Sequence, residues 1–94
     1  MRMIRSFKDG DTEALFNDIA VPLFRGIERV ARRKLLYSHR ARSLQDLAVP
    51  PVNRLEMLKG DRREQHSIRI NDQWRLCFRW ADNGALGVEI VIYH

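Results

Sequence analysis

Apolar and polar positions change their period midway along the chain. In the first half, Phe24, Ile27, Val30, Ala31 and Leu35 recur at spacings of three and four. That is the single apolar stripe of a helix from about Phe24 to Ser38. Arg25, Glu28, Arg29, Arg32 and Arg33 lie mostly off the stripe, and Glu28 and Arg32 stand four apart in the favoured orientation for an ion pair. Upstream, Met1 to Phe7 alternates loosely, as a short strand does. Asp9-Gly10-Asp11 reads as a turn, and Asp11 or Thr12 as the N-cap of a short helix over 12–18. Val21-Pro22 interrupts helical structure. Ser43 is expected to cap one further turn to Leu47, and Pro50-Pro51 to end helical structure.

The second half carries a period of two. Arg54 to Leu58, Gln65 to Ile70, Trp74 to Trp80 and Val88 to Tyr93 read as strands. Lys59-Gly60-Asp61-Arg62 and Asp82-Asn83-Gly84 supply turn chemistry between them. Helices followed by an antiparallel meander define an α+β class, with N-terminal helices packed on a small antiparallel sheet. Residues 1–94 form one domain, since this length leaves no room for a second core.

The central hairpin fixes its own register. A two-residue turn at Asn71-Asp72 pairs apolar Ile70 with polar Gln73. A three-residue loop, Asn71-Asp72-Gln73, pairs Ile70 with Trp74, Ile68 with Leu76 and His66 with Phe78, so the apolar face matches throughout. The same register sets Arg69 opposite Arg75 on the polar face, with Arg79 further along. Like charges facing each other across a ladder destabilise it. Either an external anion sits between them or a carboxylate does, from Glu56 or Glu89 on the neighbouring strands. Charge pattern alone leaves both open. Lys59, Arg62 and Arg63 extend the positive side of the sheet, and arginine suits bidentate phosphate contacts. Arg29, Arg32, Arg33, Lys34, Arg40 and Arg42 form a second basic run, read as a solvated helix face.

Composition narrows the function classes. The formal net charge is +5, with 45% hydrophobic and 31% charged residues, which fits a folded domain with a polyanionic partner. One cysteine, Cys77, excludes an internal disulfide and reads as a small buried or half-buried thiol. Met1 to Asp11 has no apolar signal region, and no stretch approaches the ~20 apolar residues of a membrane span. The expected location is the cytoplasm, with no membrane partner. His39, His66 and His94 have no ligand-like spacing with one another or with Cys77, so neither a metal nor another cofactor is expected. There is no glycine-rich phosphate loop and no nucleophile elbow. His66 reads as a satisfied core or edge histidine, and Trp74 and Trp80 as core residues rather than base-stacking platforms. Tyr93-His94 carries two side chains capable of proton transfer. The alternatives are a core tyrosine and a frayed terminal histidine.

Several blocks together resemble a known family. Asn53-Arg54-Leu55-Glu56-Met57-Leu58-Lys59-Gly60-Asp61-Arg62 is similar to its NRLE-LKGDR block. His66 to Phe78 is similar to its SIRIN-QWR-CF block, Val88 to His94 to its VEIVDYH tail, and Met3 to Phe7 to its opening. These are the marks of HigB-type, or plasmid-maintenance killer, toxins of the RelE/ParE superfamily. The resemblance implies a RelE-like, microbial-RNase-like fold and a metal-independent mRNA endoribonuclease. Such an enzyme cleaves codons in the ribosomal A site by attack of a 2′-OH on the scissile phosphate. The resemblance also implies a HigA-type helix-turn-helix antitoxin, through which alone operator DNA is contacted. Carried over residue by residue, Arg75 stabilises the scissile phosphate, Lys59 contacts phosphate nearby, and Tyr93 and His94 orient RNA or move protons. Arg69 joins them from the strand-face argument. Lys59, Arg62, Arg63, Arg69 and Arg79 form the expected RNA-binding set. Some relatives carry a histidine before the lysine turn, where this chain has Glu56. The family tail also has Asp before Tyr-His, where this chain has Ile92, which implies weakened activity. Two rival readings share parts of this pattern: a ParE-like inhibitor of DNA gyrase, and a non-catalytic module that binds RNA or the ribosome.

Overall fold

The first helix begins at a carboxylate. In the computed structural model, which describes residues 4–60, 64–81 and 84–92, Asp9 is extended and its side chain accepts from the Thr12 backbone N–H (3.1 Å) and the Thr12 hydroxyl (2.7 Å). This cap satisfies an orphan donor of α1 (Gly10–Phe16). Asp9-Gly10-Asp11 is therefore the cap and first turn of the helix rather than a separate turn, and the cap is neither Asp11 nor Thr12. A 3-10 turn (Pro22–Phe24) follows, and Gly26, at φ +94°, breaks the chain direction before α2 (Glu28–Arg40). α2 thus starts four residues later than the stripe suggests, although Phe24 and Ile27 are still buried.

Two expectations on α2 are corrected. Glu28 does not bond Arg32. Its carboxylate accepts from the Gly26 N–H at 2.9 Å, which holds its pKa below the usual carboxylate value, with Arg32 a smaller influence. Arg32 reaches back to α1, donating to the Leu15 carbonyl (3.1 Å) and pairing with Asp18 (3.3 Å). The Leu15 carbonyl already accepts from the Asp18 N–H (3.0 Å), and the negative end of the α1 dipole together with the Asp18 carboxylate draws the guanidinium there. Lys34 is also not part of a solvated face: it is 5% exposed. Arg29, Arg33, Arg40 and Arg42 are exposed, as expected.

Beyond α2, Asp46 accepts from the Arg42 and Ser43 N–H groups, and with Ser43 it forms the capping box of a 3-10 turn (Leu44–Ala48). Pro50-Pro51 does not end helical structure outright. Pro51 opens one more 3-10 turn (Pro51–Asn53), because a proline ring suits the first position of a turn.

The sheet is antiparallel throughout, in the order β1 (Glu56–Met57), β2 (Gln65–Arg69), β3 (Trp74–Ala81) and β4 (Gly84–Ile92). The β2–β3 register is the one set by the three-residue loop: His66 faces Phe78, Ile68 faces Leu76 and Arg69 faces Arg75, with the Ile70 N–H donating to the Trp74 carbonyl. β4 starts at Gly84 rather than Val88. Two glycines hide its beginning in the sequence, and pairing with β3 overrides their low strand preference. Between Cys77–Glu89 and Arg79–Leu86 the ladder slips by one residue, at Gly87, whose φ is +60°. There the Gly87 N–H donates to the Ser6 hydroxyl, and Val88 pairs in parallel with Phe7. The N-terminal segment thereby joins the sheet edge as isolated bridges at Ile4 and Phe7.

One face of the sheet meets the helices. Ile68, Ile70, Leu76, Phe78, Val88 and Ile90 pack with Leu15, Phe24, Ala31, Leu35 and Leu47. Trp74 meets Phe24 edge-on at 5.7 Å, and Trp80 packs against Phe78, so both tryptophans serve the core. Cys77 is buried. His66 stacks on Phe78, but its Nδ1 is buried with no hydrogen-bond partner among the described residues, so it is not the satisfied histidine expected. No helix among the described residues is long and apolar enough to cross a membrane.

Two stability measurements check this account. Asp9→Ala removes the cap and is expected to cost about 1 kcal/mol in urea unfolding; no change would mean that α1 does not depend on Asp9. Burial holds the His66 pKa below its usual 6.5. The unfolded chain therefore takes up the proton first, and stability falls as pH drops from 6.5 through the lower folded value. His66→Phe, which retains the stack on Phe78, is expected to flatten that fall when stability is compared on the two sides of pH 6.5.

Candidate active site

The polar face of the sheet gathers around Arg75, which is 5% exposed. Strand alternation turns its side chain away from the core, yet three segments close over it. Its Nε donates to the Ser67 hydroxyl on β2 at 2.8 Å. Its Nη2 donates to the Arg54 carbonyl at 2.6 Å and pairs with Glu56 on β1 at 2.9 Å. Arg54 presents that carbonyl because it adopts the left-handed conformation (φ +46°, ψ +59°) after the 3-10 turn. A guanidinium taken from water needs such partners, and its planar fork holds them in fixed directions.

Arg69 lies opposite Arg75 and pairs with Asp72 in the hairpin loop. Asn71 shapes that loop by accepting from the Gln73 and Trp74 N–H groups, both at 2.8 Å. The arginines open onto a cleft of about 470 Å³ lined by Arg54, Leu55, Glu56, Arg69, Asn71, Asp72 and Arg75. Three arginines and two acidic residues line it, an excess of one positive charge before any ligand enters. Of the two possibilities left open by the charge pattern, the structure shows the carboxylate: Glu56 pairs with Arg75, while Arg69 takes Asp72 of the hairpin loop. Glu89 pairs with Lys8 at 3.3 Å.

Behind the cleft lies a polar contact that the sequence did not announce. The buried Lys34 Nζ donates to Asn53 Oδ1 at 2.5 Å and stands 5.4 Å from the centre of the Tyr37 ring. Asn53 is fully buried, and its Nδ2 donates to the Leu47 carbonyl at 3.2 Å. Burial, then the positive charges of Arg33 and Arg69, hold the Lys34 pKa below the usual lysine value.

Of the expected site residues, the fold brings Arg69 and Arg75 together. Lys59 is exposed, just past the Leu58 N–H that closes the ladder onto Gln65. That is the opposite end of β2 from Arg69, and Lys59 does not line the cleft. Arg79 is also exposed and at that far end, opposite Gln65 and Leu86. Arg62, Arg63, Tyr93 and His94 lie outside the described residues. Ile92 is described: it is 53% exposed and faces Trp74, next to the Arg75–Val91 pair. Among the described residues, no group of three or more His, Cys, Asp or Glu could hold a metal ion. Asp72, Ser67 and the Arg54 carbonyl were not foreseen as partners. Ser67 shares the polar face by simple alternation, and Asp72 is the acidic residue of the hairpin loop, so both left a signal. The carbonyl left none.

Sequence relationships identify the family. A family model described as the RelE-like toxin of type II toxin-antitoxin system HigB matches residues 3–94. Toxin HigB-1 of Vibrio cholerae serotype O1 is 39% identical over 92 residues, spanning 94% of this chain and 95% of that protein. An uncharacterized protein of Haemophilus influenzae is 31% identical over 81 residues, 86% of this chain and 73% of that protein. The chain belongs to the HigB-like family, the RelE-like toxins of type II toxin–antitoxin systems, and as such has an antitoxin for a partner.

Proposed function

We propose that this toxin is a ribosome-dependent mRNA endoribonuclease that cuts codons in the A site. The observation that carries the reading is the Arg75–Arg69 pair: two arginines directly opposite each other on β2 and β3, one of them almost fully buried and fixed by three segments, both lining one open cleft. In the proposed reaction, a ribose 2′-oxygen forms a bond to phosphorus while the bond from phosphorus to the 5′-oxygen breaks. The products are a 2′,3′-cyclic phosphate and a 5′-hydroxyl. Negative charge gathers on the non-bridging oxygens in the pentacoordinate state, and donors already in position stabilise it without reorganising. Arg75 has that role, with Arg69 beside it. Glu56, which touches the Arg75 guanidinium, is the candidate to take the 2′-OH proton. Tyr93 and His94 orient RNA or return a proton to the leaving oxygen. Lys59, Arg62, Arg63 and Arg79 contact the phosphate backbone further from the cut. The antitoxin in this reading is HigA-type, with a helix-turn-helix that carries the complex to operator DNA.

Primer extension on an mRNA in a reconstituted translating system tests the reading. The wild-type toxin is expected to give cuts within codons that require ribosomes. Arg75→Ala, and Arg75→Lys, which keeps a cation but loses the fork, are expected to cut about 10²- to 10³-fold more slowly. Growth arrest with no ribosome-dependent cuts would reject the nuclease in favour of a gyrase inhibitor or a non-catalytic binder.

Ile92 gives a second test. Position 92 faces Trp74, away from Arg75, so in this reading the carboxylate of the resembled tail would act through the chain end rather than at the Arg75 cleft. Ile92→Asp is expected to strengthen growth arrest; equal toxicity would mean that position 92 does not limit activity.

A further inference from the structure

A lysine that is 5% exposed, and whose recorded contacts are an amide oxygen and an aromatic ring, is unfavourable for folding. Desolvating an ammonium costs several kcal/mol, and a neutral acceptor offsets only part of it. A methionine of similar length, facing an apolar residue in place of Asn53, would fill the same space without that cost. Packing therefore does not explain Lys34.

Its position does. Lys34 Nζ holds Asn53 Oδ1, and the Asn53 amide is tied in turn to the Leu47 carbonyl. Asn53 is the last residue of the 3-10 turn, and the next residue is Arg54, in its left-handed conformation. The Arg54 carbonyl accepts from Arg75, and two residues later Glu56 pairs with Arg75. The segment that carries both acceptors is short, and β1 has only two residues. Little in the ladder itself fixes where this segment sits. We infer that Lys34 is a positioning residue for Arg75: through Asn53 it clamps the 53–56 segment onto α2, and so sets the acceptors that aim the Arg75 guanidinium into the cleft. The role in catalysis rests on the nuclease reading; the clamp does not.

Lys34→Met separates this role from a structural one. A residue that merely supports the fold lowers stability when replaced. Because Lys34→Met also strands the buried Asn53 oxygen, some loss of stability is expected on either account; what the clamp alone predicts is a loosened Arg75 in the folded variant. The Arg75 Nε–H, buried against Ser67, is expected to exchange slowly with solvent in the wild type and at least about tenfold faster in Lys34→Met, by NMR of the free toxin. Cleavage in the translating system is expected to fall by about tenfold or more, as misplacing a fixed catalytic group does. Unchanged Arg75 exchange in folded Lys34→Met would overturn the inference, as would a fall in stability with cleavage intact. If Lys34→Met does not fold, the double variant Lys34→Met/Asn53→Leu, which removes both partners of the contact and strands neither, is judged by the same exchange measurement. If the wild type does not cleave RNA but Lys34→Met still frees the Arg75 Nε–H, the nuclease reading fails and the clamp stands.

Discussion

A guanidinium removed from water must find its hydrogen bonds elsewhere, and the arrangement of one side of this sheet follows from how Arg75 finds them. Its acceptors come from the β2 hydroxyl of Ser67, from the backbone after the last 3-10 turn, and from Glu56 on β1. None of these is local to β3, so satisfying Arg75 requires the meander to be assembled. A two-residue strand contributes little ladder of its own. β1 is held as much by the ion pair of Glu56 as by its pairing with β2. The same constraint explains how Arg69 and Arg75 are tolerated opposite each other. Each draws a separate carboxylate, Asp72 on one side and Glu56 on the other, which keeps two like charges together at the cleft instead of splaying the strands.

Much of this frame was legible in the sequence because it obeys a single period. Ile68, Ile70, Trp74, Leu76 and Phe78 leave one register in which apolar residues meet, and the loop length and the Arg69–Arg75 pair follow from it. The features that escaped do not repeat. Asp9 caps α1 through the backbone of a residue three along, in a stretch that also looks like a turn. The start of β4 is masked by Gly84 and Gly87, one at the strand end and the other at the slip in the ladder. Pro51 reads as a stop and acts as a start. In each case tertiary pairing or capping decided between local conformations that the residues themselves allow about equally.

The charge pattern was legible in its total and not in its allocation. A run of basic residues on one helix suggests one role, but α2 divides it. Arg32 donates to the end of α1 and pairs with Asp18, Lys34 turns inward to Asn53, and Arg29, Arg33 and Arg40 remain in solvent. Helical spacing separates those fates: Lys34 lies three residues beyond Ala31 and one before Leu35, beside the buried stripe, and its long stem can cross apolar surface before its ammonium needs a partner. Alternation on β2 and β3 similarly puts Ser67, Arg69 and Arg75 on one face, but it cannot say that Arg54 will turn its carbonyl towards them.

Buried cations on both sides of the 53–56 segment raise the question of what favours them. Hydrophobic residues of like volume generally stabilise a fold as well as buried ions do, or better. The carboxylates here do not balance the charge, since three arginines and two acidic residues line the cleft and Lys34 has an amide oxygen as its acceptor. Such an arrangement is least favourable when the cleft is empty and improves when an anion enters, because the repulsion of Arg69 on Lys34 is then partly neutralised. In the proposed nuclease reading, the same electrostatics that weaken the free fold would favour a bound phosphate, most of all in its most highly charged state. Stability given up in the free protein would then be regained as selectivity for an anionic, and above all a pentacoordinate, phosphorus centre.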